Sequence, residues 1–402
     1  MIYLDYQATT PLAPEALKAM LPWLEQGHAN PHSPHRAGRQ ARAAVEVARD
    51  QIAALLPSGG RVVFTSGATE ALNWAIKSTG GGIATTSIEH AAVLDTAAAT
   101  GRPLTLLPVD GEGLVTTGPD NIDKPLPFRG GVGVGPRHGL HACGGAPPPA
   151  SPLKGRDEHS SCHHAINFLQ KGTGLVAAML VNNEVGTIQP IAALADVAHR
   201  AGAVMLCDAV QGYGRVAIPD TVDLVAISAH KIHGPKGVGA LWIRDGITLP
   251  PLLHGGDQEG GRSGTLSPAL CAGFGAAARL MAVRAEEDSA HVERLWSLAV
   301  ERLGSGWSIN GSVEQRYHGN LNVRREGLDV ARLMSDCRDI AFSAGSACAS
   351  GSGRPSHVLT ALGLSDREAK SSIRIGFGRY TTEAELVEAI DRINTATKAQ
   401  GL

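Results

Sequence analysis

The chain of 402 residues is poor in cysteine, poor in aromatic residues and close to neutral. Six cysteines in a chain of this length are too few for a secreted disulfide framework, so we expect a reduced, cytoplasmic protein. A formal net charge of -2 gives no reason to expect nucleic acid or an anionic membrane as a partner. No apolar run approaches the roughly 20 residues of a transmembrane helix. Residues 1–5 lack the charged and apolar regions of a secretory signal, which again favours the cytoplasm.

What remains is the pattern of an α/β protein. Amphipathic helical segments alternate with short apolar runs, which predict buried strands at 62–64, 82–87, 104–107, 174–181, 203–207, 222–227 and 238–243. This alternation predicts a mostly parallel sheet with helices on both faces. After residue 256 the alternation of strands and helices gives way to long helical segments, which are predicted over 267–287 and 290–303. We therefore predict a large α/β domain over 12–258, and a smaller α+β domain formed by 1–11 and 259–402.

A lysine follows one of these predicted strands. Lys231 lies between the apolar run 222–227 and Gly234-Pro235, a pair that forces a turn. A lysine held there suits an imine with a carbonyl cofactor, and Ser228 and His230 are hydrogen-bond donors for a phosphate. The alternative is a surface turn with solvated lysines, because lysine is usually exposed.

Three further strand ends carry polar or small residues. Ala68 and Thr69 lie where a strand runs into a helix, an arrangement that binds anions, although an ordinary capped helix shares it. His90 precedes another helix and Asp208 ends another strand. Taken alone, His90 could be a core histidine, and Asp208 could be a helix N-cap. Together with Lys231 they match the needs of a phosphorylated pyridine aldehyde, which requires a lysine, a carboxylate, a stacking group and an anion site.

At this point the chain resembles the pyridoxal-phosphate enzymes of the class V aminotransferase fold, and specifically the cysteine desulfurases. The resemblance runs from Tyr3 to about Ile393, apart from 116–171. It is carried by the stretches 3–6, 8–11, 65–70, 89–90, 181–186, 208–211, 230–237, 262–265, 343–350 and 371–374. It implies a fold type I transferase with a seven-stranded, mostly parallel sheet in the pyridoxal-phosphate-binding domain, and a homodimer.

The resemblance also implies a role for each matching residue. Lys231 forms the imine with pyridoxal 5'-phosphate, Asp208 pairs with the pyridine nitrogen and His90 stacks on the ring. Substrate binding falls to Asn183 and to Arg374, whose guanidinium suits a carboxylate; a surface charge is the alternative for Arg374. The further cofactor contacts implied are Gln211 and Asn183 at the ring oxygen, Ala68, Thr69, Ser228 and His230 at the phosphate, and Thr265 from the partner subunit.

The family's nucleophilic cysteine corresponds to Cys348, in the glycine-rich stretch 343–353. By the resemblance, its thiolate takes sulfur from L-cysteine, leaves a persulfide and releases alanine. The sulfur then passes to an iron–sulfur scaffold or another acceptor protein, as in the nitrogenase and housekeeping branch. No resident metal is implied, although Cys348 would ligate an iron–sulfur cluster transiently during transfer. A buried structural thiol is the alternative for a lone cysteine.

One segment, 116–171, lacks helical or strand periodicity. A structureless stretch of this length is unusual inside a compact domain. We expect a disordered insertion or an error in the coding sequence. A metal site is the competing hypothesis, although the spacing of its candidate ligands matches no strong zinc pattern: Cys143, His159, Cys162, His163 and His164.

Two functional alternatives stay open at this stage. The first is another enzyme on the same fold, either a selenocysteine lyase or an aminotransferase; Cys348 argues against the aminotransferase, which needs no such thiol. The second is a binding protein on an inactive enzyme scaffold. The presence of Lys231, Asp208 and His90 argues against that interpretation.

Overall fold

The computed structural model describes residues 1–116, 169–256, 258–345 and 355–402. Its strands are β1 (Ile2–Tyr3), β2 (Gly60–Thr65), β3 (Gly82–Thr86), β4 (Leu104–Leu107), β5 (Thr173–Met179), β6 (Val204–Asp208), β7 (Leu224–Ser228), β8 (Gly239–Arg244), β9 (Ser308–Ile309), β10 (Asn320–Arg324), β11 (Ile340–Ala341), β12 (Ser343–Ala344) and β13 (Ser372–Gly376). Its helices are α1 (Pro14–Glu25), α2 (Arg36–Ala53), α3 (Ala68–Ser78), α4 (Ala91–Ala99), α5 (Ile191–Arg200), α6 (Pro268–Val283), α7 (Ala285–Leu303), α8 (Val330–Asp336), α9 (His357–Ala361), α10 (Asp366–Lys370) and α11 (Glu383–Lys398).

Within these ranges a seven-stranded sheet forms the centre of the fold, in the order β2-β8-β7-β6-β5-β3-β4. β8 is antiparallel to both of its neighbours, and every other pair is parallel. The predicted mostly parallel α/β sheet is therefore confirmed. Gly239 in β8 allows the backbone of Gly67, just before α3, to pack closely against this strand. A Cβ on residue 239 would lie only 2.7 Å from Cα of Gly67.

Helices cover both faces of this sheet, as the apolar strand sequences require. Along β2, Val62 and Phe64 join the core beneath α1, α2, α5 and α6, whereas Val63 joins the core beneath α3 and α4. Successive side chains of a strand point to opposite faces, so one short apolar run supplies both cores. With its faces packed, the sheet leaves the carboxyl ends of its parallel strands as the place for polar side chains.

A second sheet, β12-β13-β10-β9, is antiparallel and has its own apolar core with residues of α7, α8 and α11. β1 pairs with β11, which places the first residues of the chain beside this later part. The grouping of 1–11 with 259–402 in one domain stays a prediction.

The two long helices after residue 256 divide earlier than the sequence predicted. The predicted boundary fell near 288, whereas α6 ends at Val283 and α7 begins at Ala285. Arg284 leaves the helical conformation, with φ of -112° and ψ of 10°. Glu286, Glu287 and Asp288 then lie in the first turn of α7, where acidic side chains are favoured by the helix dipole.

In the described ranges, no helix combines the length and the apolarity that crossing a membrane requires. The same ranges contain no cluster of three or more potential metal ligands. Most of the segment 116–171 lies outside the described residues, and so do Cys143, His159, Cys162, His163 and His164.

Candidate active site

A cavity of about 720 Å³ opens at the carboxyl ends of the central strands. Residues distant in sequence meet here because the parallel strands end at one edge of the sheet. The sequence-predicted residues that line it are Ala68, Thr69, His90, Asn183, Asp208, Gln211, Ser228, His230, Lys231 and Arg374. Thr265 is exposed and is not among the lining residues. Cys348 lies outside the described residues.

Lys231 follows β7 in a 3₁₀ turn, Ala229–Lys231, as its position in the sequence predicted. Its Nζ donates hydrogen bonds to the backbone oxygens of Gln7 and of Ala8, the latter at 3.0 Å. Burial, reinforced by the nearby charge of Arg374 and opposed by Asp208, lowers the pKa of Lys231 to about 8. A solvated surface turn is therefore the wrong description of Lys231.

Asp208 is the last residue of β6 and is 6% exposed. Its Oδ1 accepts a hydrogen bond from the backbone N–H of Val210 at 3.0 Å. Burial raises the pKa of the Asp208 carboxyl, while the Val210 N–H, His90 and Lys231 act in the opposite direction. This carboxylate therefore depends on positive partners in the cavity to stay ionised, and a pyridinium would be one more.

His90 is the N-cap of α4, because its Nδ1 accepts a hydrogen bond from the backbone N–H of Ala92 at 3.0 Å. An accepting Nδ1 carries no proton, which leaves the proton of the neutral ring on Nε2. Burial lowers the pKa of His90, although Asp208 opposes the shift. The helix-capping role was not foreseen from the sequence, and it fixes the ring at the edge of the cavity.

The N-terminus of α3 forms the anion end of the cavity. Gly67 is the N-cap of this helix and has no side chain. No N-cap side chain therefore accepts a hydrogen bond from the first backbone N–H groups, which include those of Ala68 and Thr69. Glu70 lies in the same turn, but an ion pair with Arg262 at 2.8 Å compensates its charge. Ser228 and His230 approach from the end of β7. The group is suited to a phosphate, and the Glu70–Arg262 pair was missed at the sequence level.

Arg374 lies in β13 and is 1% exposed, so the surface-charge alternative is wrong. One Nη donates to the backbone oxygen of Asn183 at 3.0 Å, and the other donates to Asp5 Oδ1 at 2.8 Å. Its Nε has no hydrogen-bond partner within the described part of the chain. Asp5 and Asn183 thus hold the guanidinium in place where Arg374 lines the cavity. Asp5 had been part of a matching stretch but had no assigned role.

Three of the cysteines are buried in the described ranges and are poor candidates for nucleophiles. Burial raises the pKa of Cys207 well above its ordinary value, raises that of Cys271 to about 12, and raises that of Cys337. Because the thiolate is the reactive form, these thiols are unreactive. The remaining cysteines are Cys143, Cys162 and Cys348.

Comparisons with known proteins agree with this geometry. The model of the aminotransferase class-V family matches residues 2–126 and 153–389, and its interruption falls inside the segment 116–171. A mitochondrial cysteine desulfurase of Saccharomyces cerevisiae is 38% identical over 99% of this chain and 75% of its own. The cysteine desulfurase IscS of Rickettsia bellii is 37% identical over 98% of this chain and 90% of its own.

Solved structures extend the likeness to three dimensions. A NifS-like protein superposes with a TM-score of 0.80 at 29% identity, covering 99% of both chains. A structure described as SspA in complex with cysteine has a TM-score of 0.75 at 31% identity, covering 95% of this chain and 100% of its own. The chain therefore belongs to the class V aminotransferase family, in the group that contains the curated cysteine desulfurases.

Proposed function

We propose that this protein is a pyridoxal-phosphate-dependent cysteine desulfurase that converts L-cysteine to L-alanine and leaves the sulfur as a persulfide on Cys348. The observation that carries the proposal is the convergence of Lys231, Asp208, His90 and Arg374 on one cavity. An amine, a carboxylate, a flat ring and a carboxylate-binding guanidinium are the groups that an amino-acid-converting pyridoxal enzyme needs.

The donor set fits pyridoxal 5'-phosphate. The N-terminus of α3, with Ser228 and His230, would hold the phosphate, and Asp208 would hold the pyridine nitrogen. Asn183 and Gln211 would contact the ring oxygen, and His90 would stack on the ring. When bound, the cofactor supplies an electron sink for charge that develops on the substrate carbon. Asp208 would maintain that property by favouring a protonated ring nitrogen.

Lys231 is prepared for attachment and proton transfer by its surroundings. A pKa of about 8 leaves a substantial neutral fraction near neutral pH, and only the neutral amine attacks a carbonyl. The hydrogen bond from Arg215 to the Lys231 backbone oxygen fixes the main chain beneath the side chain. The same amine, within the cavity, is placed to carry a proton to or from the substrate.

Arg374 is proposed to bind the carboxylate of L-cysteine. Its contacts with Asp5 and Asn183 hold the plane of the guanidinium where Arg374 lines the cavity. A buried guanidinium makes a strong, directional contact with a carboxylate. Asn183 contributes both through this backbone contact and through its side chain at the cavity wall.

Cys348 is the proposed sulfur acceptor. Its thiolate attacks the sulfur of the substrate; a sulfur–sulfur bond forms and the carbon–sulfur bond of cysteine breaks. The substrate carbon retains the electron pair, takes up a proton and leaves as alanine. The enzyme thiol and L-cysteine are thereby converted to an enzyme persulfide and L-alanine without an external oxidant.

Three features of the environment belong to the same proposal. The active form is a homodimer, in which Thr265, exposed and outside the cavity lining, contributes to the partner's cofactor site. The persulfide is passed to an iron–sulfur scaffold or another acceptor protein. The reaction takes place in the cytoplasm.

The test is an absorbance spectrum of the purified protein, together with assays of sulfide and alanine after addition of L-cysteine and a reductant. We expect a visible cofactor band and equal yields of sulfide and alanine. An aminotransferase would instead yield a keto acid and no sulfide. A selenocysteine lyase would act on L-selenocysteine and leave L-cysteine unchanged.

A further inference from the structure

The two ends of the segment that carries Cys348 are both held near one buried residue, Glu184. Cys348 follows Gly345 by three residues and precedes Ser356 by eight. Gly345 and Ser356 belong to the described ranges, and Glu184 is 2% exposed. The contacts of Gly345 and Ser356 therefore show how each end of the segment is held.

At the C-terminal end, the Ser356 hydroxyl donates a hydrogen bond to Glu184 Oε2 at 2.5 Å. The same hydroxyl oxygen accepts from the backbone N–H of Leu359, which makes Ser356 the N-cap of α9. The neighbouring His357 contacts the backbone oxygen of Glu89 through Nε2 at 2.9 Å. The start of α9 is thus bound to two residues beside the cavity.

At the N-terminal end, the connection runs through the side-chain amide of Asn322. Its Nδ2 donates to the backbone oxygen of Glu184 at 2.9 Å and to that of Gly345 at 3.3 Å. Asn322 is fully buried, and the Gly345 N–H donates to the backbone oxygen of Ser372 at 2.8 Å. Hydrogen bonds therefore hold Gly345 through both its N–H and its carbonyl oxygen.

Glu184 also adjoins the proposed substrate-binding groups. The preceding residue, Asn183, accepts a hydrogen bond from Arg374 through its backbone oxygen. Arg374 in turn donates to the hydroxyl of Ser343, two residues before Gly345, at 3.3 Å. Hydrogen bonds therefore connect Arg374 and both ends of the Cys348 segment to one short stretch of chain, Asn183-Glu184.

We propose that Glu184 is a positioning residue for sulfur transfer: it holds the two ends of the Cys348 segment at the substrate-binding edge of the cavity, by its side chain at Ser356 and by its backbone oxygen through Asn322. The inference rests on the proposed function and deepens it. A displacement of about 1 Å is enough to cost roughly 100-fold in rate, so the loss of such an anchor affects the transfer step.

The test compares Glu184→Ala and Glu184→Gln with the wild-type enzyme, all loaded with cofactor. For Glu184→Ala we expect kcat for sulfide release to fall about 10- to 100-fold, because the Ser356 anchor is gone. The KM for L-cysteine should change by no more than about twofold, and so should the spectral dissociation constant for L-alanine, because Arg374 and Asn183 remain. Glu184→Gln keeps an oxygen that accepts from Ser356, and it should retain most of the wild-type kcat.

Asp223→Ala is the matched control. Asp223 is 8% exposed and its carboxylate accepts from the Met205 N–H at 2.8 Å, but it precedes β7, at the end of the sheet away from the cavity. It should lower the melting temperature without a selective loss of kcat. Ser356→Ala, which leaves the carboxylate intact, should reproduce the kcat loss of Glu184→Ala and carries the test if that variant fails to fold.

The outcomes separate the two proposals. Failure of the wild-type enzyme to release sulfide would overturn the proposed function itself. A normal wild type together with Glu184→Ala and Ser356→Ala variants of unchanged kcat would overturn only the positioning role. A loss of L-alanine affinity equal to the loss of kcat would also overturn it, because Glu184 would then act in substrate binding.

Discussion

The amine of Lys231 donates a hydrogen bond to the backbone oxygen of Ala8 at 3.0 Å. The two residues are far apart in sequence, yet the N-terminal segment lies directly across the lysine at the carboxyl end of β7. Gln211 strengthens this arrangement by donating to the backbone oxygen of Gln7 at 2.9 Å. Reaction of the amine with an aldehyde has to replace these contacts, so attachment of the cofactor is sensitive to the protonation of Lys231.

The first prediction concerns the pH dependence of cofactor attachment to the apoenzyme. With a pKa of about 8 for Lys231, the neutral fraction of the amine increases about tenfold between pH 7 and pH 9. The rate of reconstitution with pyridoxal 5'-phosphate, followed by absorbance, should rise by a similar factor and level off above pH 9. Lys231→Arg should bind the cofactor without a covalent band. A rate that is flat across this range would contradict the lowered pKa.

The second prediction separates the two roles of His90. Asn is also a good N-cap, so His90→Asn should preserve α4 while removing the aromatic ring. It should lose cofactor affinity and sulfide release together, with a melting temperature close to that of the wild type. His90→Ala should show the same losses and, in addition, a stability lower by about 1 kcal/mol. Full activity with normal cofactor retention in His90→Asn would return His90 to a purely structural role.

The third prediction concerns Glu89, which precedes His90 in the chain and is fully buried. Burial raises its pKa from 4.5 to about 8, against the opposing hydrogen bonds from Thr86 and from the Met179 N–H. Between these pH values the folded state binds more protons than the unfolded state. Glu89 therefore lowers the free energy of unfolding of the wild type as pH rises.

Glu89→Gln removes that dependence while keeping an acceptor for Thr86 and Met179. Relative to the wild type, its free energy of unfolding should increase with pH from about 5 to 8, by at most about 1.4 kcal/mol per pH unit, and then level off. Urea denaturation at a series of pH values provides the measurement. A difference between the two proteins that does not vary with pH would show that Glu89 titrates normally.

The fourth prediction concerns Arg374. Replacement by Lys keeps the positive charge but cannot reproduce the planar guanidinium that contacts Asp5 and Asn183 and suits a carboxylate. The KM for L-cysteine should rise about 10- to 100-fold, the range expected for losing a hydrogen bond to a charged group. The cofactor band should remain. Asp5→Asn, which retains an acceptor for Arg374, is the control and should show a smaller effect; an unchanged KM in Arg374→Lys would remove Arg374 from the substrate site.

Much of the fold and of the site could be predicted because the signals are local. Apolar runs locate the strands, and the polar residue that follows each run is brought to the cavity by the parallel sheet, as for Asp208 and Lys231. The antiparallel direction of β8 was not predictable in this way, since an apolar run has no direction. The boundary at Arg284 was misplaced because two consecutive amphipathic helices share one periodicity.

What the sequence could not supply are the partners that long-range packing brings together. Asp5 and Arg374 are separated by almost the whole chain, and no spacing rule relates them. The same holds for Glu184, whose contacts with Ser356 and Asn322 depend on how the two sheets meet. Burial decides the pKa of Lys231 and Glu89, and burial follows only from the folded arrangement.

The most direct test of the central claim is a single turnover of the purified, cofactor-loaded enzyme with L-cysteine in the absence of reductant, analysed by peptide mass spectrometry. The account predicts one alanine released per active site and the mass of one sulfur atom added to the peptide that contains Cys348. Cys348→Ala should still show the spectral change on binding L-cysteine but should release neither alanine nor sulfide. Alanine release by that variant, or a persulfide on a different cysteine, would contradict the account.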